Sequence, residues 1–423
     1  SLKFFTHLEV IFTSGMTTRS SRFSVCEFSS NLRYFIFIKH LFHFFSCFLS
    51  SVLLGQDQNS TLSDEELSQM LFGTNPSENV EFTETKKAPW VPSYSGEIGI
   101  GYSDNPLYGP FVRQDTSFLE TSLEAFFIRE GSQEYLTYLY LFGEGKRYDA
   151  LEDNKDTSLL LAQLEHAYTP LKSPYTYGLR VRHIYYDQGF DFSELGLPYT
   201  MNVRSNKTEW IPYLSKVFSE QWSGSIQFIK GFEDFKVIAD DNQDAAVQIS
   251  IRGTPDFLEW EFEGQYSKKQ YRERPKRDGD GNQLSTDAMQ TEKVELSYEL
   301  QKDFSHSLWK NSSAKLKWTR LKDDAGGYYD FEKIGFRLEQ ELQVSFFSTN
   351  ASIMGSETVY KHRRVDSGER FKRQSLSYST SATFPFHEKT DFYIRWEREE
   401  DFSNARDYEY FTNFWSLGVQ WEL

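Results

Sequence analysis

Trp415-Ser416-Leu417-Gly418-Val419-Gln420-Trp421-Glu422-Leu423 alternates large apolar with small or polar side chains without a break. Large apolar side chains fill 415, 417, 419, 421 and 423, and Ser, Gly, Gln and Glu fill the positions between. A period of two gives a strand with one greasy and one wet face. Two tryptophans on the greasy face suit a strand whose outer side meets lipid and whose inner side meets water, the alternation of a transmembrane β-barrel.

Composition agrees. The 423 residues include 38 Phe, 25 Tyr and 9 Trp, yet only 39% are hydrophobic and the mean hydropathy is −0.59. Membrane helices would need apolar runs of about 20 residues. Half-polar strands with aromatic girdles give this combination instead. The net charge of −16 includes a local +3 over the first 55 residues, leaving the rest near −19, so nucleic acid is not an expected partner. Cys26 and Cys47, the two cysteines, both lie in that basic part. If it is removed, neither disulfides nor thiolate metal sites remain.

Residues 1–32 show no periodicity and read as an over-extended N-terminus. Arg33 and Lys39 then flank an apolar core, Leu41 to Leu54, as in a secretory signal with a cut after Gly55. Residues 56–94 read as a periplasmic or plug segment. Ser63 and Glu66 make a capping box and Gly73 a stop, predicting a short helix over 64–72. Pro89 and Pro92 stiffen the linker that follows.

Residues 95–423 divide into sixteen alternating segments near 95–103, 117–129, 134–145, 156–168, 176–187, 206–219, 222–232, 244–253, 257–270, 291–303, 312–322, 328–346, 351–363, 372–386, 390–401 and 408–423. Long polar gaps alternate with short ones, as extracellular loops and periplasmic turns do. The expected fold is all-β: an antiparallel up-and-down transmembrane barrel of about sixteen strands. Leu376, Tyr378, Thr380, Ala382, Phe384 and Phe386 should meet lipid, with Ser375, Ser377, Ser379, Ser381 and Thr383 inside. Gln340 falls on the outward side and is a misfit; Pro212 and Glu357 predict bulges or register errors.

The inward inventory is where function should lie. Glu259, Glu261 and Glu263 form an acidic row on one strand, with Glu295 and Glu299 on the next. Arg180, Arg182, Arg252, Lys293, Lys315, Lys317, Arg337 and Arg395 supply the opposite sign. Such rows are too costly to bury dry, so the lumen should be hydrated. They act either as a self-neutralising prop or as a transverse field across a constriction.

In strand number, signal sequence, short turns and terminal strand, residues 95–423 resemble the sixteen-stranded porins of bacterial outer membranes. Trp415, Leu417, Val419, Trp421 and Leu423 resemble the targeting strand that the barrel-assembly machinery reads, with Leu423 where Phe is usual. The resemblance implies a channel for small polar or ionic solutes in the outer membrane, surrounded by lipid, with a homo-trimer as the assembly it suggests. It also implies an inward-folded third loop over 188–205, with Asp191 and Glu194 facing Arg180 and Arg182. Alternatives are a barrel exporting polysaccharide or protein, or a structural barrel.

Asp278-Gly279-Asp280-Gly281-Asn282 only begins like a calcium loop, since position six is Gln283, so a surface turn is the better reading. No metal site or cofactor is expected. Nothing resembles G-x-S-x-G, and no enzyme is expected.

Overall fold

The computed structural model describes residues 90–423 apart from 111–112, 133, 150, 152–155, 192–199, 256, 305–307 and 406–407. The proposed signal and the helix predicted over 64–72 therefore lie outside the described residues.

Sixteen strands form a closed antiparallel barrel in which each pairs with its sequence neighbours and the last pairs with the first. They are β1 (Val91–Ser103), β2 (Thr116–Ser132), β3 (Tyr135–Tyr148), β4 (Asp156–Tyr168), β5 (Tyr175–Asp191), β6 (Thr200–Ser219), β7 (Trp222–Phe235) and β8 (Asn242–Gly253). Then come β9 (Glu259–Arg277), β10 (Gln283–Asp303), β11 (Trp309–Asp323), β12 (Phe331–Val344), β13 (Phe347–Arg364), β14 (Arg370–His387), β15 (Thr390–Ser403) and β16 (Tyr410–Glu422).

Which face is inside follows from reach. Tyr393 on β15 donates a 2.8 Å hydrogen bond to Glu120 on β2, three strands away. Arg395 on β15 reaches Glu97 on β1 at 3.0 Å, and Tyr213 on β6 reaches Glu165 on β4 at 2.7 Å. Side chains of non-neighbouring strands converge only on the concave side, so the polar face is internal. Ile98, Ile100 and Tyr102 point the other way, and Ile100 is 60% exposed. They pair with Val419, Leu417 and Trp415, so the alternating stretch 415–423 is the closing seam. Backbone hydrogen bonds between Leu423 and Tyr94, 2.8 and 3.2 Å, finish it.

Seven turns of two to six residues lie at one end and eight loops of five to twelve at the other. Outward aromatic pairs ring the turn end: Tyr135–Tyr168 with centroids 4.8 Å apart, Trp222–Trp260 at 4.9 Å, Phe347–Phe384 at 5.5 Å and Phe386–Phe392 at 4.8 Å. Amphipathic rings in this position form an interfacial girdle.

The loops are shorter than the sequence implied because the strands run on. The polar gap 271–290 is largely the ends of β9 and β10, leaving a turn at 278–282. There the Asp278 carboxylate accepts the backbone N–H groups of Asp280 and Asn282, at 3.0 and 2.8 Å. The Asn282 side-chain amide, then its backbone N–H, holds that carboxyl below its usual range. Likewise β1 starts at Val91, so Pro92 belongs to a strand and not to a linker. It sits where β1 pairs with β2 alone, and its missing N–H is tolerated on such an edge.

The two expected disruptions do not occur. Pro212 pairs with Leu179 in unbroken β5–β6 register, and on its other side the β6–β7 pairing skips Ile211 and Pro212 without shifting register; Glu357 sits opposite Ile334 and Gln374 in register. Bulges gather near strand ends, as between Val359 and Arg364. Gln340 is outward as expected and is satisfied there. It accepts from Ser312 and donates to the Asn311 and Glu341 carbonyls at 2.8 and 2.9 Å.

Candidate functional site: the inner wall

On β14 the inner face is a column of serines. Ser375 and Ser379 hydrogen-bond to Ser356 and Ser352 of β13 at 2.7 and 2.8 Å. Small hydroxyls spanning a hydrogen-bonded pair leave this sector without charge.

From β4 to β12 most of the internal charges are tied in local sets, although Lys333 and Glu341 on β12 make no ion pair among the described residues. Glu165 takes Arg180 at 2.6 Å and the hydroxyls of Tyr138 and Tyr213 at 2.6 and 2.7 Å. Tyr213 can reach because Gly178 lies beneath its ring; a Cβ there would stand 2.2 Å from it. Glu209 takes both Arg182, at 2.5 Å, and Lys207, at 2.7 Å, and Lys207 also reaches Asp244 at 3.1 Å. The arginine pair is thus engaged by its strand neighbours.

The acidic row of β9 shares the inner face, opposite the outward Phe262. Glu259 pairs with Arg252 at 2.6 Å and Glu263 accepts from Gln248 at 2.7 Å, while Glu261 makes no ion pair among the described residues. On β10, Glu295 holds Lys293 and Lys317, each at 2.7 Å, and Glu299 holds Lys315 at 2.7 Å. Arg337 pairs with Glu339 two residues along its own strand.

The seam sector differs. Glu97, Glu120, Glu124, Glu144, Glu397, Glu399 and Asp401 share the inner face of β1, β2, β3 and β15. Their cations are Arg395, Lys146 and Arg373. Arg395 lies 3.0 Å from Glu97 and 3.8 Å from Glu120; Lys146 is 3.9 Å from Glu120; Arg373 holds Asp401 at 2.6 Å. Glu124, Glu144, Glu397 and Glu399 have no ion-pair partner among the described residues. Of this set the sequence reading singled out only Arg395. Alternation on β1 to β3 and β15 carried the signal, but no single strand displays it as a row the way β9 does.

Above that sector, described residues of the first two connections lie against the inner face. Leu107 and Tyr108 of the first and Leu151 of the second pack on the inner-face rings of Phe118, Tyr148 and Phe414. Phe118 and Leu151 are each 2% exposed. Asn105 fixes the turn, exchanging 3.0 Å hydrogen bonds with both backbone groups of Gly109 and donating to the Phe411 carbonyl at 3.1 Å. It holds Tyr108 at φ 57°, a left-handed conformation that costs a non-glycine residue about 1 kcal/mol. Lys146 lies just below, 4.8 Å from the Phe414 ring centroid. The loop expected over 188–205 is shorter, because β5 runs on to Asp191 and β6 begins at Thr200; residues 192–199, with Glu194, lie outside the described residues. Among the described residues no three His, Cys, Asp or Glu side chains could hold a metal ion.

No family model matches the chain, and no curated protein does. Among solved structures it is similar to OmpF of Salmonella typhi in complex with daunomycin, at 12% identity and TM-score 0.47, over 79% of this chain and 98% of that one. It is similar to OccAB1 of Acinetobacter baumannii at 9% identity and TM-score 0.44, over 81% and 99%. An anion-selective porin of Comamonas acidovorans follows at 9% and 0.41, over 80% and 100%. The barrel assignment rests on the strand pairing itself.

Proposed function

We propose that this barrel is a porin-like channel of the bacterial outer membrane that passes small polar or ionic solutes by diffusion and prefers cations. Its partners are then the surrounding lipid, the assembly machinery that reads the Trp415 to Leu423 strand and, in trimeric form, two further copies. The observation that carries the reading is the inner wall: charged and hydroxylated around most of its circumference, with surplus carboxylate at the seam.

A sixteen-stranded barrel is wide enough to leave an aqueous passage beside its own side chains. Carboxylates without cation partners on such a wall make its potential negative, which concentrates cations and repels anions. The inward-turned Leu107, Tyr108 and Leu151 narrow the loop end over that sector. Glu259, Glu261, Glu263, Glu295, Glu299, Arg180, Arg182 and Arg337 serve as the polar lining and Arg395 as the counter-charge of the acidic sector.

Purified protein in planar bilayers under a tenfold KCl gradient tests this. Steady conductance with a cation-selective reversal potential is expected. A barrel that conducts nothing, or one that prefers chloride, would sink the proposal.

A further inference from the structure

The outer surface carries one feature that conduction does not use. A groove of about 520 Å³ runs down the outside of β6 to β9, lined by Trp210, Pro212, Phe228, Val247 and Tyr266 with Lys230 and Lys268 at its loop-side end. Register explains its shape. Trp210, Lys230, Ala245 and Lys268 sit in one row, and Phe228, Val247 and Tyr266 in the row on the turn side of it, with Pro212 lining the groove beside them. Ala245, with only a methyl group between two lysines, leaves the notch. Below it the floor is apolar.

Lysines on a lipid-facing surface keep their stems on the hydrocarbon and lift their ammonium groups to the interface. Lys230 donates to Gln243 at 3.1 Å, and Lys268 pairs with Glu292 at 2.7 Å. The same row continues from Glu292 to Lys322, so three cations meet one carboxylate and the row keeps a surplus of positive charge. A neutral hydrocarbon tail alone would fit the apolar floor and leave that charge unanswered. A lipid bearing a phosphate answers both: acyl chain in the groove, anionic headgroup between Lys230 and Lys268.

We propose that this groove binds a single phosphorylated lipid of the loop-side leaflet. The site rests on the outer face meeting lipid and is independent of whether the lumen conducts.

Native mass spectrometry of the detergent-solubilised full chain, titrated with phosphatidylglycerol, phosphatidylcholine or inorganic phosphate, tests it. The wild type should retain one phosphatidylglycerol at concentrations about tenfold below those needed for phosphatidylcholine. Lys230→Gln/Lys268→Gln should lose that preference. Ala245→Trp, which fills the notch and keeps both lysines, should lose the bound lipid itself. Lys361→Gln/Lys372→Gln, on other strands, should change nothing. Equal phosphatidylglycerol retention by the wild type and both groove variants would overturn the proposal. So would displacement of the lipid by equimolar inorganic phosphate, which would mark a plain anion site. Bilayer conductance read on the same preparations keeps the two proposals separable, since lipid retention does not require an open pore.

Discussion

The wall from β4 to β12 and the wall at the seam are built from the same residue types and differ in bookkeeping of charge. On the first, Glu165, Glu209, Glu295 and Glu299 each sit within 2.7 Å of a lysine or arginine. On the second, Glu124, Glu144, Glu397 and Glu399 have no such partner among the described residues. A paired carboxylate is structural, because removing it strands its cation; an unpaired one is available to the solution. The lesson is that charge count alone does not locate a selective surface. Pairing decides.

The largest expected effect comes from the seam's packing. A Cβ at Gly99 would lie 2.2 Å from the Tyr393 hydroxyl and 2.9 Å from the Leu417 carbonyl oxygen. Backbone cannot retreat there, so Gly99→Ala should cost about 3 kcal/mol. The matched change on the other wall, Gly264→Ala, meets only a Leu296 methyl carbon at 3.4 Å and should be almost neutral. Urea-driven unfolding in lipid vesicles, followed by tryptophan fluorescence, compares them, and equal losses would deny the seam its special packing.

Next come the carboxylates themselves. Glu209 is 4% exposed and serves two cations, so Glu209→Gln should destabilise by about 1–3 kcal/mol. Glu397→Gln removes like-charge repulsion and should be neutral or slightly stabilising in the same assay. If both cost the same, the contrast between walls fails. Tyr393→Phe deprives the buried Glu120 of a 2.8 Å donor and should cost about 1 kcal/mol.

Selectivity gives the smallest but most direct readout. Glu397→Gln/Glu399→Gln should move the reversal potential toward zero, whereas Glu259→Gln/Glu299→Gln should move it less, since those carboxylates already have cations. The reverse order would place the selective surface on the acidic row of β9 and β10. Shortening the first loop by Leu107 and Tyr108 should raise single-channel conductance; no change would show that this insert leaves the narrowest section untouched.

Strand number, chain direction and facing were legible in the sequence because lipid on one side and water on the other write a period of two. Ser375 to Thr383 and Ile334 to Leu338 show it. Where both faces are wet, the period vanishes. Tyr271 to Arg277 therefore read as loop although they extend β9, and Gln283 to Gln290 were missed as part of β10 for the same reason. Contacts between distant strands were invisible for another reason. Nothing local in Tyr393 or Asn105 announces Glu120 or Phe411 as partner; only closure of the ring brings them together. The β9 row was conspicuous as sequence and turns out to be largely paired, while the seam carboxylates were scattered over four strands and stood out only in space.

Fifteen of the sixteen inter-strand joints are made by neighbours in sequence, and β1 with β16 is the exception. Each hairpin needs only a short connection closed, whereas this joint closes a chain of some three hundred residues. By the usual logarithmic scaling, that costs roughly 4 kcal/mol more than closing a two-residue turn. The cylinder is therefore expected to zip up hairpin by hairpin, with the β1–β16 ladder as the last joint to form.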